Sequence, residues 1–212
     1  MKNYFSILFV IACFNVHFSQ EKKAVFYNEN DEEVTETIFF NHINHAQNLD
    51  LYFENDTLIT GILVKKINYG HLNDSIFKCL QKNLSPDKEL TNELTVVVFY
   101  PGKDKCNAIG WNSKWNIFDY DYLKTLTKIS NYSHFWIYKD DENLQYYYPK
   151  KVKWEKDKNQ FIEKLFFQFH YPCSSAVIFD KKGNYISCLG EFGKSEIWKM
   201  AKELIEGKGL KE

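Results

Sequence analysis

The stretch Leu94-Thr-Val-Val-Val-Phe-Tyr100 constrains this chain more than any other. A continuous run of β-branched and aromatic residues, with no polar alternation, suits a strand buried on both faces. Pro101-Gly102 stops the run, and the polar loop Lys103-Asp-Lys-Cys106 then presents one cysteine. A buried strand therefore delivers a thiol at its C-terminal end.

The 212 residues suffice for one sizeable domain and a small extra lobe. Apolar residues make up 44% and aromatics 17%, enough for a large core and too much for a disordered chain. Lys and Arg number 27 against 28 Asp and Glu, a net charge of −1. That balance argues against a dedicated nucleic-acid binder and against holding an anionic membrane by charge alone.

The first residues read as an export signal. Lys2 supplies a positive start, Tyr4 to Ala12 is apolar but short, and Ser19 is the small residue a signal peptidase needs. The expected cut follows Ser19, giving a periplasmic or secreted protein. In the alternative, Val10-Ile-Ala-Cys13 acts as a lipobox and anchors a lipoprotein at Cys13. No later stretch approaches the length of a transmembrane helix. After Ser19 the chain keeps Cys79, Cys106, Cys173 and Cys188, an even count that indicates disulfides in an exported protein and allows three pairings.

Residues 20–59 read as a β-rich extension. Ala24 to Tyr27 is a strand, and Leu49 to Phe53 with Leu58 to Val64 form a hairpin around an Asn-Asp turn. From residue 60 onward strands and helices alternate. Helices are expected over 71–84, with Asn73 as N-cap, over 119–129, over 158–169, and after Ser195 as N-cap. Strands are expected within 62–69, over 94–100, 133–138, 175–179 and 185–189, with 144–154 irregular or an edge excursion. Asp180-Lys-Lys-Gly-Asn184 is a turn that lets Gly183 take positive φ.

This order, with Val96-Val-Val-Phe-Tyr-Pro101 before the cysteine and Ala176-Val-Ile-Phe-Asp-Lys-Lys-Gly-Asn-Tyr-Ile186 near the end, resembles the thioredoxin superfamily. The resemblance implies an α/β fold over 60–212: a mixed sheet flanked by helices and closed by an antiparallel hairpin. The chain is also similar to uncharacterised exported bacterial proteins that share the Cys106 and Pro-x-Cys neighbourhoods. It departs from the redox members. Asn107-Ala-Ile-Gly110 follows Cys106, so the second cysteine of a Cys-x-x-Cys pair is missing. Lys103 stands where a peroxiredoxin has Thr or Ser, and no equivalent Arg is evident.

In the resembled fold the loop after the central strand and the loop before the hairpin are neighbours. Carried onto this chain, that places Cys106 near Cys173, as a structural disulfide or as a redox pair formed in space. Free thiols and other pairings remain open. Lys103 and Lys105 flank Cys106 and either favour its thiolate or sit in water. Cys79 and Cys188 lie in apolar patterns and read as inert core thiols. His42 and His45, with Glu36, do not complete a metal motif, and His170 reads as a helix C-terminal residue or a base beside the cysteines. Trp111, Trp115, Phe118, Tyr120 and Tyr122, with Tyr146-Tyr147-Tyr148, form either core or a ligand surface. No nucleotide, metal or cofactor motif appears.

The expected function is a non-catalytic binding or structural module of the bacterial envelope, its partner a protein or small molecule. The alternative is an atypical thiol–disulfide oxidoreductase using Cys106 and Cys173. A carrier that uses the aromatic cluster is a third reading.

Overall fold

The computed structural model describes residues 22–108, 111–147 and 150–208. The expected leader 1–19, Cys13, and Tyr148 of the tyrosine run lie outside them. The described residues are mixed α/β, with two mixed sheets and five α-helices among them. None of the described helices is long and apolar enough to cross a membrane.

The first sheet holds β1 (Lys23–Tyr27), β2 (Glu33–Val34), β3 (Asn48–Glu54) and β4 (Leu58–Lys65) in the order β2-β1-β4-β3. Helix α1 (Glu36–His42) packs on one face, where Phe26, Phe39 and Leu63 are buried together. The other face contributes Leu49, Leu51 and Val64 to the core of the second sheet. The chain crosses between sheets at Lys66: its N–H donates to the Gln47 carbonyl, and its own carbonyl accepts from Leu189.

The second sheet comprises β5 (Ile67–His71), β6 (Leu94–Tyr100), β7 (Tyr132–Tyr138), β8 (Trp154–Lys156), β9 (Ser175–Asp180) and β10 (Asn184–Cys188), in the order β5-β10-β9-β6-β7-β8. Strand β6 is central and buried at all seven positions. Its lack of alternation has a direct cause. Leu94, Val96 and Val98 face a core made with α3 (Asp121–Ile129) and α5 (Lys194–Ile205), through Tyr122, Leu126, Ile197 and Ala201. Val97 and Phe99 face a second core made with α2 (Asp74–Leu84) and α4 (Phe161–Phe166), through Leu80, Leu84, Ile162 and Phe166.

Several expectations need correction. Strand β5, expected only as a short strand within 62–69, runs from Ile67 to His71 and pairs antiparallel with β10. Its direct continuation from β4 through Lys66 delivers it to that edge. The parallel neighbours are β6, β7 and β8, and β8, at the sheet edge, starts at the end of the segment read as irregular or as an edge excursion. The helix expected over 158–169 is shorter, because Asn159 and Gln160 take left-handed φ of 59° and 55°. It begins at Phe161, where the Asp157 carboxylate accepts from the N–H groups of Ile162 and Glu163 (3.0 and 2.9 Å). Gly193, not Ser195, caps α5. The Glu196 carboxylate accepts from the Gly193 N–H, and Asn116 Oδ1 accepts from that of Lys194 (both 2.9 Å). Cys188 is buried as expected of a core thiol, whereas Cys79 is exposed, because its side of α2 faces solvent.

Candidate functional site

The register of the central strands creates the site. Strand β6 runs antiparallel to β9 with Phe99 opposite Ser175. The segment leaving β6 and the segment entering β9 therefore share one rim of the sheet. Cys106 follows the first and Cys173 precedes the second, and they form a disulfide with Cα atoms 5.2 Å apart. The crosslink spans 67 residues, a separation for which chain entropy gives about 4 kcal/mol of stabilisation. Cys106 is exposed and Cys173 half-buried.

Asp104, which sequence reasoning passed over, binds the two loops independently of sulfur. Its Oδ1 accepts from the N–H groups of Cys106 (2.8 Å) and Asn107 (3.0 Å). Its Oδ2 accepts from the Cys173 N–H (2.8 Å) and lies 3.2 Å from His170 Nε2. Burial alone would raise this carboxyl, but the His170 contact and the three backbone donors outweigh it and hold it below the ordinary aspartate value. Asn107, buried, completes the knot. Its Oδ1 accepts from the Asp104 N–H, and its amide donates to the carbonyls of Gly102 (2.8 Å) and Cys173 (3.3 Å).

His170 thus has a partner other than the one expected. Helix α4 ends at Phe166, so the ring is not at a helix terminus and engages Asp104 instead. The Lys103 ammonium pairs with Glu142 (2.7 Å), and Lys105 is exposed. Cys173 sits at φ 70°, unusual for a non-glycine residue, at the centre of a γ-turn closed by the Ser174 N–H on the Pro172 carbonyl (2.9 Å). The cysteine strand ends are held by polar contacts that do not depend on the crosslink.

A third polar group arrives from β10. The Glu191 carboxylate lies within 4.8 Å of both cysteine sulfurs. It is bracketed on both sides: the Gly190 N–H donates to Ser175 Oγ (3.2 Å), and the Phe192 carbonyl accepts from Trp115 Nε1 (2.5 Å). Gly190 itself takes φ 70°, a left-handed conformation that strains any residue with a Cβ, and a Cβ there would press on the Leu49 methyl at 2.9 Å. No sequence signal pointed to Glu191, because sheet register alone brings residue 191 to residue 106.

Beside the disulfide opens a cavity of about 330 Å³ whose walls include Trp111, Trp115, Tyr147, Lys114 and Glu191. The aromatic run after Cys106 divides here. Trp115 and Phe118 pack inward against Phe192 and Trp136, and Tyr122 is buried. Trp111 stays 64% exposed on the cavity wall, and Tyr120 is 88% exposed. Burial raises the Tyr147 hydroxyl to about 12, with the nearby Asp104 charge adding to it, so that hydroxyl stays protonated.

Among the described residues, His42, His45 and Glu36 are not brought together as one group of ligand atoms. His42 Nδ1 lies 2.7 Å from the Ile38 carbonyl, and His45 faces Asp50 at 3.6 Å. All 27 basic residues of the chain are lysines, so no guanidinium exists to activate a thiolate or to grip a carboxylate bidentately. Comparison with protein-family models, with curated proteins and with solved structures gives no match.

Proposed function

We propose that this chain is an exported binding module on a degenerate thioredoxin-like scaffold, with the Cys106–Cys173 disulfide as the staple of its binding cleft. The observation that carries the reading is the aromatic-walled cavity that opens directly on the disulfide. Support for the scaffold comes from the strand order β10-β9-β6-β7, with β6 and β7 parallel, the closing hairpin antiparallel, and helices on both faces. Export is supported by the apolar, Ser19-terminated N-terminal segment.

The electrostatics favour a staple over a redox centre. A nucleophilic cysteine needs a stabilised thiolate, usually beside a cation or a helix N-terminus. Here Glu191 sits beside both sulfurs, Lys103 is turned to Glu142, and the second cysteine of a Cys-x-x-Cys pair is absent. A carboxylate at that range disfavours thiolate and so favours the oxidised pair.

One observation favours a second reading: Cys106 is exposed on the cavity, within reach of an attacking thiol. A thiol–disulfide oxidoreductase would cycle that bond. Turnover of a protein disulfide by the purified protein, with a dithiol as reductant, separates the two. The module should show no rate above the dithiol alone. A rate that Cys106→Ser abolishes would establish the enzyme and overturn the binding-module reading.

A further inference from the structure

We propose that reduction converts the Cys106, Cys173 and Glu191 corner into a three-ligand site for a divalent cation of the zinc class. The two sulfurs and a Glu191 oxygen lie within 4.8 Å of one another. Tetrahedral coordination by two thiolates and a carboxylate needs ligand separations of about 3.4–3.8 Å, given metal–ligand bonds of about 2.0–2.3 Å. The two sulfurs must part from bonding distance, about 2 Å, to that separation while the carboxylate draws in, shifts of about an ångström or two.

The ligands would not drift apart once the sulfur–sulfur bond opens. Asp104 accepts from the backbone N–H groups of both Cys106 and Cys173, and Asn107 ties its own loop to the Cys173 carbonyl. Glu191 is held through Gly190 on Ser175 and through Phe192 on Trp115. The cavity in front of them leaves a fourth position for water or a ligand, the arrangement of an open site with three protein ligands. Two soft thiolates with one hard oxygen select zinc(II) or cobalt(II) over magnesium or calcium. Lys114 lines the same cavity and opposes a cation, and the three negative charges of two thiolates and a carboxylate outweigh it.

A phosphine and one water, or a dithiol, supply two electrons and two protons. The Sγ–Sγ bond breaks to give two thiols, with phosphine oxide or a cyclic disulfide as the other product. Cation binding then releases both thiol protons to solvent. The oxidised pair offers no thiolate, so the site exists only in the reduced protein. This inference does not rest on the binding-module reading, and the turnover assay and the metal titration can fail separately.

The test is anaerobic titration with cobalt(II) of protein reduced by a phosphine, the phosphine having been removed, in a Cys79→Ser background. The reduced protein should develop thiolate-to-cobalt charge-transfer absorption and intense tetrahedral d–d bands that zinc(II) abolishes. The oxidised protein should show neither. Glu191→Gln should weaken binding at least about tenfold, the smallest loss expected for a ligand when an outer-shell partner alone costs about 10- to 100-fold. Circular dichroism on the same samples reports the fold. Absence of the charge-transfer band, unfolding on reduction, or unchanged affinity in Glu191→Gln would each overturn the proposal.

Discussion

At the scale of single residues, the site depends on Asp104 more than on the cysteines' own neighbours. Asp104→Asn keeps the shape but replaces one accepting oxygen with a donor that faces backbone N–H groups. Charge-assisted bonds of this kind are worth about 1.5–3 kcal/mol each. We expect a loss of about 2–3 kcal/mol, read from the urea midpoint with the disulfide intact; an unchanged midpoint would contradict the role. The Asp104 carboxyl is depressed in the fold, so its contribution is full above the ordinary aspartate value and is lost as pH falls through the lower folded value. His134 titrates in a different window. It is half-buried beside Tyr122, with Nε2 2.8 Å from the hydroxyl, and its Nδ1, itself shielded from solvent, has no partner among the described residues. Burial lowers it to about 3. Between that value and the ordinary 6.5 the unfolded chain binds the proton and the folded one does not. Stability is therefore full above pH 6.5 and falls toward pH 3, by at most about 1.4 kcal/mol per pH unit. Denaturation at pH 7 and pH 5 should show this slope, and His134→Gln should flatten it. Of Cys79 and Cys188, only Cys79 should react with iodoacetamide in the folded state, because Cys188 is buried and raised to about 12; peptide mass mapping decides. Part of the Asp104 role was legible, since an Asp two residues before the N–H it accepts is an Asx turn. Its bonds to residues 170 and 173 were not, because they depend on which strands pair.

At the scale of elements, legibility followed the length of the apolar pattern. Strand β6 stood out because seven buried positions in a row leave no other reading. Helix α2 was placed by its stripe and by Asn73, whose side chain accepts from the Ile76 N–H (3.0 Å). The three-residue β8 was illegible, because Trp154-Glu-Lys156 carries no period and pairs only with the end of β7. The start of α4 misled for a physical reason: Lys158 to Gln160 continue the helical pattern in sequence, yet two left-handed residues break it. Asp157 then caps the helix from outside, four residues before Phe161, where no spacing rule would look for it. Asp157→Ala should cost about 1–2 kcal/mol, as for lost caps elsewhere, visible in thermal unfolding. A loss below about half a kcal/mol would mean that packing of Ile162 and Phe166 alone holds α4.

At the scale of the whole molecule, the sequence supplied the alternation of strands and helices and hence the mixed α/β class. It could not supply the order β5-β10-β9-β6-β7-β8, because pairing of distant strands is decided by which faces remain to be covered once both cores form. The N-terminal sheet shows this: Leu49, Leu51 and Val64 complete a core that β6, β9 and α4 leave open. The same assembly brings residues 104, 106, 170, 173 and 191 to one rim, and a cavity with aromatic walls opens beside them. A staple in that position should resist reduction, and a redox centre should not. The most direct measurement is the fraction of the Cys106–Cys173 pair oxidised across a series of thiol buffers, with each state trapped by alkylation and read by mass. The account predicts a potential below about −300 mV, so that the pair stays oxidised at glutathione poises near about −200 mV. A pair half reduced in that glutathione range would contradict it.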